Sequence, residues 1–328
     1  MTMKKISIFI FAALLLISCN DIKVQRFEGN ALGTYYAVTY KGAKNPSLQA
    51  EVDSILNSIN ETFSIFNETS MISKINNNQE VILNKDFIEV FTIAQRIGKE
   101  TDGALEMTIG PLVNLWGFGK DERKTDISQA EIDSILALIG YWKVQLDEKT
   151  IIKENPNIQL NFNAIAKGYA VDKVADYLVK KGYKNCVVDI GGEIVAKGKK
   201  YFDQEWNIGL QQPTRTRDGE MHADETFHLQ DRAVATSGNY RNYFEENGQR
   251  YAHIINPKTG RPEKSKLLSV TVIADHCVEA DAYATAFMVM GMDKTKQFLK
   301  NHPELTCIFI YDENGTYHTE VCNPTKNQ

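Results

Sequence analysis

Apolar residues recur along this chain with one of two periods, and the period changes from segment to segment. Leu48, Val52, Ile55, Leu56 and Ile59 follow the three- and four-residue spacing that places them on one face of a helix. Phe87, Val90, Phe91, Ala94 and Ile97 repeat that pattern. Ser128-Gln-Ala-Glu131 stands just ahead of Ile132, Ile135, Leu136 and Ile139, and a serine followed three residues on by glutamate opens a helix by satisfying its first backbone N–H groups. Further helices are predicted from Ala164 to Lys181, ending near Gly182, and from Val278 to Met290, closed by Gly291. Asp293 can cap a short one running to Lys300. Period two marks the strands: Tyr35–Tyr40, Asn185–Ile190 and Leu267–Ala274, the last read as alternating. Two Asn-Gly pairs predict tight hairpins. Asn247-Gly248 joins Tyr240–Glu246 to Gln249–Ile255, and Asn314-Gly315 joins Thr306–Tyr311 to Thr316–Val321. Helices and hairpins mix without a regular βαβ repeat, so the fold class is α+β, with mixed or antiparallel sheets and packed helices.

The first residues break this pattern. Met1-Thr-Met-Lys-Lys5 is charged, Ile6 to Ile17 is apolar apart from Ser7, and Ser18-Cys19 follows. That is a secretory signal, too short for a confident membrane span, and a small residue directly before cysteine is the pattern of a bacterial lipoprotein box. The expectation is a signal peptide over 1–18, an acylated Cys19 at the mature N-terminus, a tether over 19–29 and one domain over 30–323. Cutting away residues 1–18 removes two lysines and no acid, leaving 35 basic and 42 acidic residues, a balance of −7. Nucleic acid is a poor partner for such a surface. Of the remaining cysteines, Cys186, Cys277, Cys307 and Cys322, none is in a Cys-x-x-Cys spacing, which argues against a thiolate metal site or a redox dithiol. Disulfide pairing is left open. No Pro-, Gly- or Ser-rich linker divides the chain and no repeat is found, so it forms one large domain or two intertwined lobes.

Two segments concentrate candidate chemistry. Glu279-Ala-Asp-Ala-Tyr-Ala-Thr285 puts a carboxylate and a hydroxyl four residues apart, on one side of a helix. Both are hard oxygen donors, which suit Mg²⁺ better than Zn²⁺. On spacing alone, an exposed Asp281 beside a packed Thr285 is the commoner situation. Tyr251-Ala-His-Ile-Ile-Asn-Pro-Lys-Thr-Gly-Arg-Pro262 sets His253 between a hairpin and a Pro/Gly-rich turn. An imidazole can take a proton near neutral pH, although a lone histidine is more often structural.

These segments, with Gly103–Gly119, Asn161–Asp172, Val188-Asp-Ile-Gly-Gly-Glu193 and Ser237-Gly-Asn-Tyr-Arg241, resemble the FAD:protein FMN transferase family, the ApbE-type flavin transferases. The similarity runs in family order from about Gly33 to Gly291. It implies a two-lobed single unit related to the T-fold. It also implies a reaction that splits FAD, moves FMN onto a threonine hydroxyl of another protein and releases AMP. By the resemblance, Asp281, Thr285 and the carbonyl of Ala164 hold Mg²⁺, and His253 is the general base. FAD contacts fall to Leu32, Phe66, Leu105, Glu106, Met107, Asn161, Lys167 and Ile255. The implied acceptors are membrane redox proteins with a threonine-containing flavinylation motif, met at the periplasmic face of the bacterial inner membrane. Four positions depart from the family's usual residues. Leu32 stands for methionine, Phe66 for tyrosine and Asn161 where aspartate is frequent, and Ala164 can offer the metal only its carbonyl, so that Asp281 brings the one carboxylate. An FAD pyrophosphatase, with water replacing the threonine, would use the same residues; a non-catalytic flavin-binding lipoprotein would not need His253, Asp281 and Thr285 together.

The N-terminal reading has a direct check. Replacing the thiol that would carry the acyl chains, Cys19→Ser, should release the protein from membranes or block its processing, as seen by fractionation and intact mass. Normal processing with retained membrane binding would remove the lipoprotein assignment.

Overall fold

The computed structural model describes residues 23–120, 124, 126–200, 204–210, 225–239, 243–246, 249–252, 254–263 and 266–324. Its centre is one eight-stranded sheet: β1 (Val24–Ala31), β2 (Thr34–Lys41), β3 (Cys186–Ile190), β4 (Glu193–Lys197), β5 (Arg232–Gly238), β6 (Leu267–Ala274), β7 (Thr306–Glu313) and β8 (Thr316–Cys322). Every neighbour in the sheet is antiparallel and is the next of these strands along the chain. The α+β expectation therefore holds, with a wholly antiparallel main sheet.

The helices enter as two insertions into this meander. Between β2 and β3 lie α1 (Leu48–Phe63), α2 (Met71–Asn76), α3 (Lys85–Glu100), α4 (Gly110–Leu115), α5 (Gln129–Leu136) and α6 (Ala166–Lys180). Between β6 and β7 lies α7 (Cys277–Leu299), kinked where Gly291 leaves helical geometry at φ 75°. Short paired strands complete the fold: Val144–Asp147 with Thr150–Lys153, Trp206–Leu210 with Glu225–Leu229, Tyr243–Glu246 with Gln249–Ala252, and Ile255–Asn256 with Arg261–Pro262. The turn expected at Asn247-Gly248 lies outside the described residues. The Asn314-Gly315 turn is present, both residues at positive φ. The capping box at Ser128 is present too: its Oγ accepts from the Glu131 N–H, and its own N–H donates to Glu131 Oε2 at 3.0 Å. Among the described residues no helix is long and apolar enough to cross a membrane.

Two expectations need correction. Residues 24–29, read as tether, form the edge strand β1. Phe27 there packs edge-on against Tyr36 and Tyr40, so the segment has apolar surface to bury. β6 does not alternate between core and solvent. Nearly all of it is buried, with Val270, Val272 and Ala274 in the main core and Ile273 in a second core across the sheet. It lies inside the sheet between β5 and β7, covered on both faces, where a continuous apolar run is the expected pattern. The main core lies under the helices, where Phe63, Phe87 and Phe162 form an aromatic cluster; Phe63 and Phe87 stack with centroids 6.0 Å apart. The opposite face is covered by Trp206, Ile208 and Leu229. A smaller third core of Leu112, Trp116, Ile132, Ile139 and Ile255 forms around α4 and α5.

Helices α6 and α7 are joined by an exchange of caps. Asp172 of α6 accepts the backbone N–H groups of Cys277 (2.9 Å) and Val278 (2.8 Å), the opening residues of α7. Asp281 of α7 returns the interaction, with Oδ2 accepting the N–H of Gly168 in the first turn of α6 at 2.9 Å. Each carboxylate satisfies N–H groups that a helix start leaves unpaired. Burial pushes the Asp172 carboxyl up to about 6, and its two amide donors oppose the rise. The exchange depends on a close approach at Gly168. A Cβ there would lie 2.3 Å from the Cys277 carbonyl oxygen and 2.8 Å from Asp281 Cβ.

This contact reverses an ordinary rule. Glycine to alanine in a helix interior normally stabilises by about 0.5–1 kcal/mol. Gly168→Ala should instead destabilise by roughly 1–3 kcal/mol, the cost of overpacking. Urea denaturation of parent and variant measures the difference, and a variant as stable as the parent or more so would refute the close-contact account.

Candidate functional site

A cavity of about 910 Å³ opens at the end of the sheet where three features meet. One is the Leu32-Gly33 turn between β1 and β2. Another is the Gly191-Gly192 turn between β3 and β4, and the third is the end of β5 at Thr236–Gly238. The start of α6, the middle of α7 and the end of α1 close its sides. Gly191 has φ 65°, and a Cβ on it would meet Thr34 at 2.8 Å, so only glycine lets the two turns pack this closely.

One pole of the cavity carries charge. Asp281 (4% exposed), Thr285, Lys167, Glu193 and Ala164 all line it. Asp281 and Thr285 lie on the same side of α7, as their spacing predicts. The Thr285 hydroxyl is 2.9 Å from that of Ser237. Lys167 Nζ pairs with Glu193 Oε1 at 2.5 Å. Burial drives the Asp281 carboxyl above its ordinary range, with Lys167 and the Gly168 amide opposing. Burial also pushes Glu193 up to about 7, with Lys167 opposing and Asp281 adding to the rise. For Lys167 burial works against the charge, but Asp281 and Glu193 outweigh it and hold the ammonium above its usual value. Among the described residues no three His, Cys, Asp or Glu side chains gather into a metal cluster. The oxygen donors at this pole are instead the Asp281 and Glu193 carboxylates and the Thr285 hydroxyl, with Ala164 beside them. Such a sparse, hard-oxygen set fits Mg²⁺, which keeps waters and takes one or two protein carboxylates beside substrate phosphates.

The other pole is apolar and partly open. Phe66 stands 65% exposed at the rim, offering a ring face. Leu105 and Met107 are buried in the wall, and Leu32 projects from its turn. Leu32 is held at φ 53°, a region that costs a branched L-residue about 1–2 kcal/mol. Glu106 lines the cavity, but its carboxylate is committed elsewhere: it accepts from the Thr108 N–H (2.8 Å), the Thr108 hydroxyl (2.7 Å) and the Tyr141 N–H (2.9 Å). Its side chain thus fixes the loop carrying Leu105 and Met107. Asn161 is 6% exposed; its N–H donates to the Met107 carbonyl at 2.8 Å, and its Oδ1 accepts the Asn163 N–H at 2.9 Å. Ile255 is buried in the third core and faces the cavity. Trp116 holds that segment in place by donating Nε1–H to the Gly260 carbonyl at 2.8 Å.

Eleven sequence-predicted site residues, all but His253, therefore line one cavity. His253 lies outside the described residues; the next residue, Ile254, is part of the wall. No histidine is among the described lining residues. His276 flanks the start of α7, His302 stacks on Phe298 with centroids 4.0 Å apart, and His318 stacks on Tyr311. Sequence reasoning missed Ser237 and Glu193 as individual site residues, although both lie in quoted motifs. For Glu193 a signal existed: an acid at the head of the apolar run Ile194-Val-Ala196, straight after two glycines, is out of place in a buried strand.

A family model described as the ApbE family matches residues 32–309. The FAD:protein FMN transferase of Haemophilus influenzae is 36% identical over 318 residues, spanning 92% of this chain and 91% of the relative. The protein of that name from Vibrio cholerae is 37% identical over 290 residues, 86% of each. Among solved structures, the flavin transferase ApbE of Vibrio cholerae superposes with a TM-score of 0.81 at 32% identity, covering 91% of this chain and 97% of that one. The apo flavinyl transferase ApbE of Pseudomonas stutzeri gives 0.80 at 31% identity, covering 91% and 94%. With the family model matching residues 32–309 and relatives above 30% identity in sequence and in superposed structure over about nine-tenths of its length, the chain belongs to the ApbE family.

Proposed function

We propose that this protein is an FAD:protein FMN transferase, which moves the FMN half of FAD onto a threonine hydroxyl of an acceptor protein and releases AMP. The observation that carries the reading is the two-ended cavity, with a buried ionic pole of hard oxygens and a lysine at one end and an exposed ring and apolar wall at the other. Its size is near the top of the ~300–1,000 Å³ range of small-molecule sites, as a dinucleotide demands. The names of its relatives point the same way.

In this reading the start of α6 faces the pyrophosphate, where the positive end of the helix dipole favours an anion. Lys167 has three N–H donors, and Glu193 takes one, leaving others for a phosphate oxygen. Mg²⁺ held by Asp281, Thr285 and the Ala164 carbonyl would offset charge on the pyrophosphate oxygens. Phe66 stacks on a ring, and Leu32, Leu105, Met107 and Ile255 exclude water around it. The acceptor oxygen forms a bond to the FMN phosphorus as the bridging P–O bond to AMP breaks. His253 takes the hydroxyl proton, and AMP leaves with the bridging oxygen. We place the enzyme on the periplasmic face of the inner membrane, anchored through Cys19, with membrane redox proteins as acceptors.

Asp281→Asn tests the ionic pole, because the amide keeps an oxygen for the Gly168 N–H while losing the charge. Transfer should fall by at least about 10²-fold, and excess EDTA should abolish it in the parent. A parent rate untouched by EDTA would end the metal assignment.

His253→Ala should bind FAD about as well as the parent while transferring roughly 10²–10⁴ times more slowly, the usual weight of a general base. Mass spectrometry of the acceptor, which gains FMN on transfer and nothing on hydrolysis, reads the rate and separates a transferase from a pyrophosphatase. A variant that loses FAD affinity but keeps its rate at saturating FAD would make His253 a binding residue.

A further inference from the structure

Glu193 has one carboxylate oxygen that nothing in the fold explains. The residue is 3% exposed and lines the cavity at the head of β4. Oε1 is occupied by Lys167, but Oε2 is buried with no hydrogen-bond partner among the described residues. A purely structural ion pair would use both oxygens, since buried polar groups are nearly always satisfied. An acceptor left unmade in a cavity wall points to a group that the bound ligand brings. The neighbours narrow the choice. The oxygens of the substrate's pyrophosphate are anionic acceptors and would repel it, whereas waters held by a divalent cation are strong donors. Mg²⁺ keeps several such waters, and carboxylates just beyond the direct ligands are a recurrent means of orienting them.

Charge gives an independent argument. Asp281 and Lys167 by themselves would make the pole neutral, and an ammonium beside a cation site opposes binding. With both carboxylates ionised, as a bound cation favours, Glu193 turns the three-group cluster to a net −1 and pairs with Lys167.

We propose that Glu193 is a second carboxylate of the cation site: Oε1 anchors Lys167, and Oε2 accepts a hydrogen bond from a water of the bound divalent metal. It is a positioning residue, acting through that water, and the inference rests on the metal assignment to Asp281 and Thr285 made above. The test is Mn²⁺ titrated into the full-length protein at saturating FAD, with free Mn²⁺ read by EPR against an FAD-only blank. Glu193→Gln, which keeps an oxygen for Lys167, should weaken Mn²⁺ binding by about 10–100-fold, each variant being titrated at FAD concentrations that saturate it. Glu193→Asp, which keeps the charge and shortens the arm, should fall between the two, and it serves if the glutamine variant folds poorly. Equal Mn²⁺ affinity in parent and Glu193→Gln would overturn the inference and leave the metal reading standing. A Glu193→Gln variant whose Mn²⁺ loss is matched by a loss of stability to urea would overturn it as well, marking Glu193 as structural. A parent that binds no Mn²⁺ would remove the metal reading itself.

Discussion

The site depends on one contact, the mutual capping of α6 and α7 across Gly168. Asp172 satisfies the opening N–H groups of α7, and Asp281 satisfies one in the first turn of α6. This places the two segments of the ionic pole, Ala164–Lys167 and Asp281–Thr285, against each other. It also gives Asp281 two duties. One oxygen is fixed by a backbone amide, so the carboxylate enters the cavity with its orientation already set, and a cation would not have to order it. The burial that makes this possible is costly for the charge, and the Lys167 ammonium and the Gly168 amide oppose that cost. Lys167, in turn, stays charged in a buried position because Asp281 and Glu193 face it. The members of the cluster are therefore interdependent: remove one and the ionisation of the others shifts.

The sheet supplies the other half of the geometry. In an antiparallel meander alternate connections fall at the same end, so the β1–β2 and β3–β4 turns and the end of β5 arrive together. Two of these connections are only two residues long, which leaves the end of the sheet open to a ligand. The sheet thus brings Leu32, Glu193 and Ser237 from distant parts of the sequence to a single wall.

What could be read in the sequence followed the range of the interaction involved. α1 and α3 declared themselves because burial of one helical face imposes a strong period, and the Ser128 box and the Asn314-Gly315 turn because their chemistry is local. β1 was missed because its partner is joined through Leu32-Gly33, and leucine at positive φ is no turn signal. β6 was misread in its burial because Ser269 and Thr271 alternate with apolar residues yet are themselves buried in the sheet, Thr271 against the Thr236 hydroxyl. At the site, Asp281 and Thr285 were legible as a pair one helical turn apart. Glu193 was not, because its meaning comes from Lys167 on another element, and Glu106 lines the wall while its carboxylate braces the loop around Tyr141.

The two poles differ in how they are held, and the difference suits a transfer reaction. The ionic pole is buried and cross-braced by helix caps, an ion pair and a hydroxyl contact, as suits groups that must meet developing charge without reorganising. The other pole ends in an exposed aromatic, Phe66, and in Leu32, held in a backbone region that a turn residue such as asparagine or glycine would occupy with less strain. A fold selected for stability alone would not keep leucine there. The strained leucine lines the cavity, which fits a side chain needed there rather than in the turn. In the proposed transfer the acceptor hydroxyl must reach the phosphorus at the ionic pole, and the open rim around Phe66 leaves the cavity accessible while the ionic pole stays fixed.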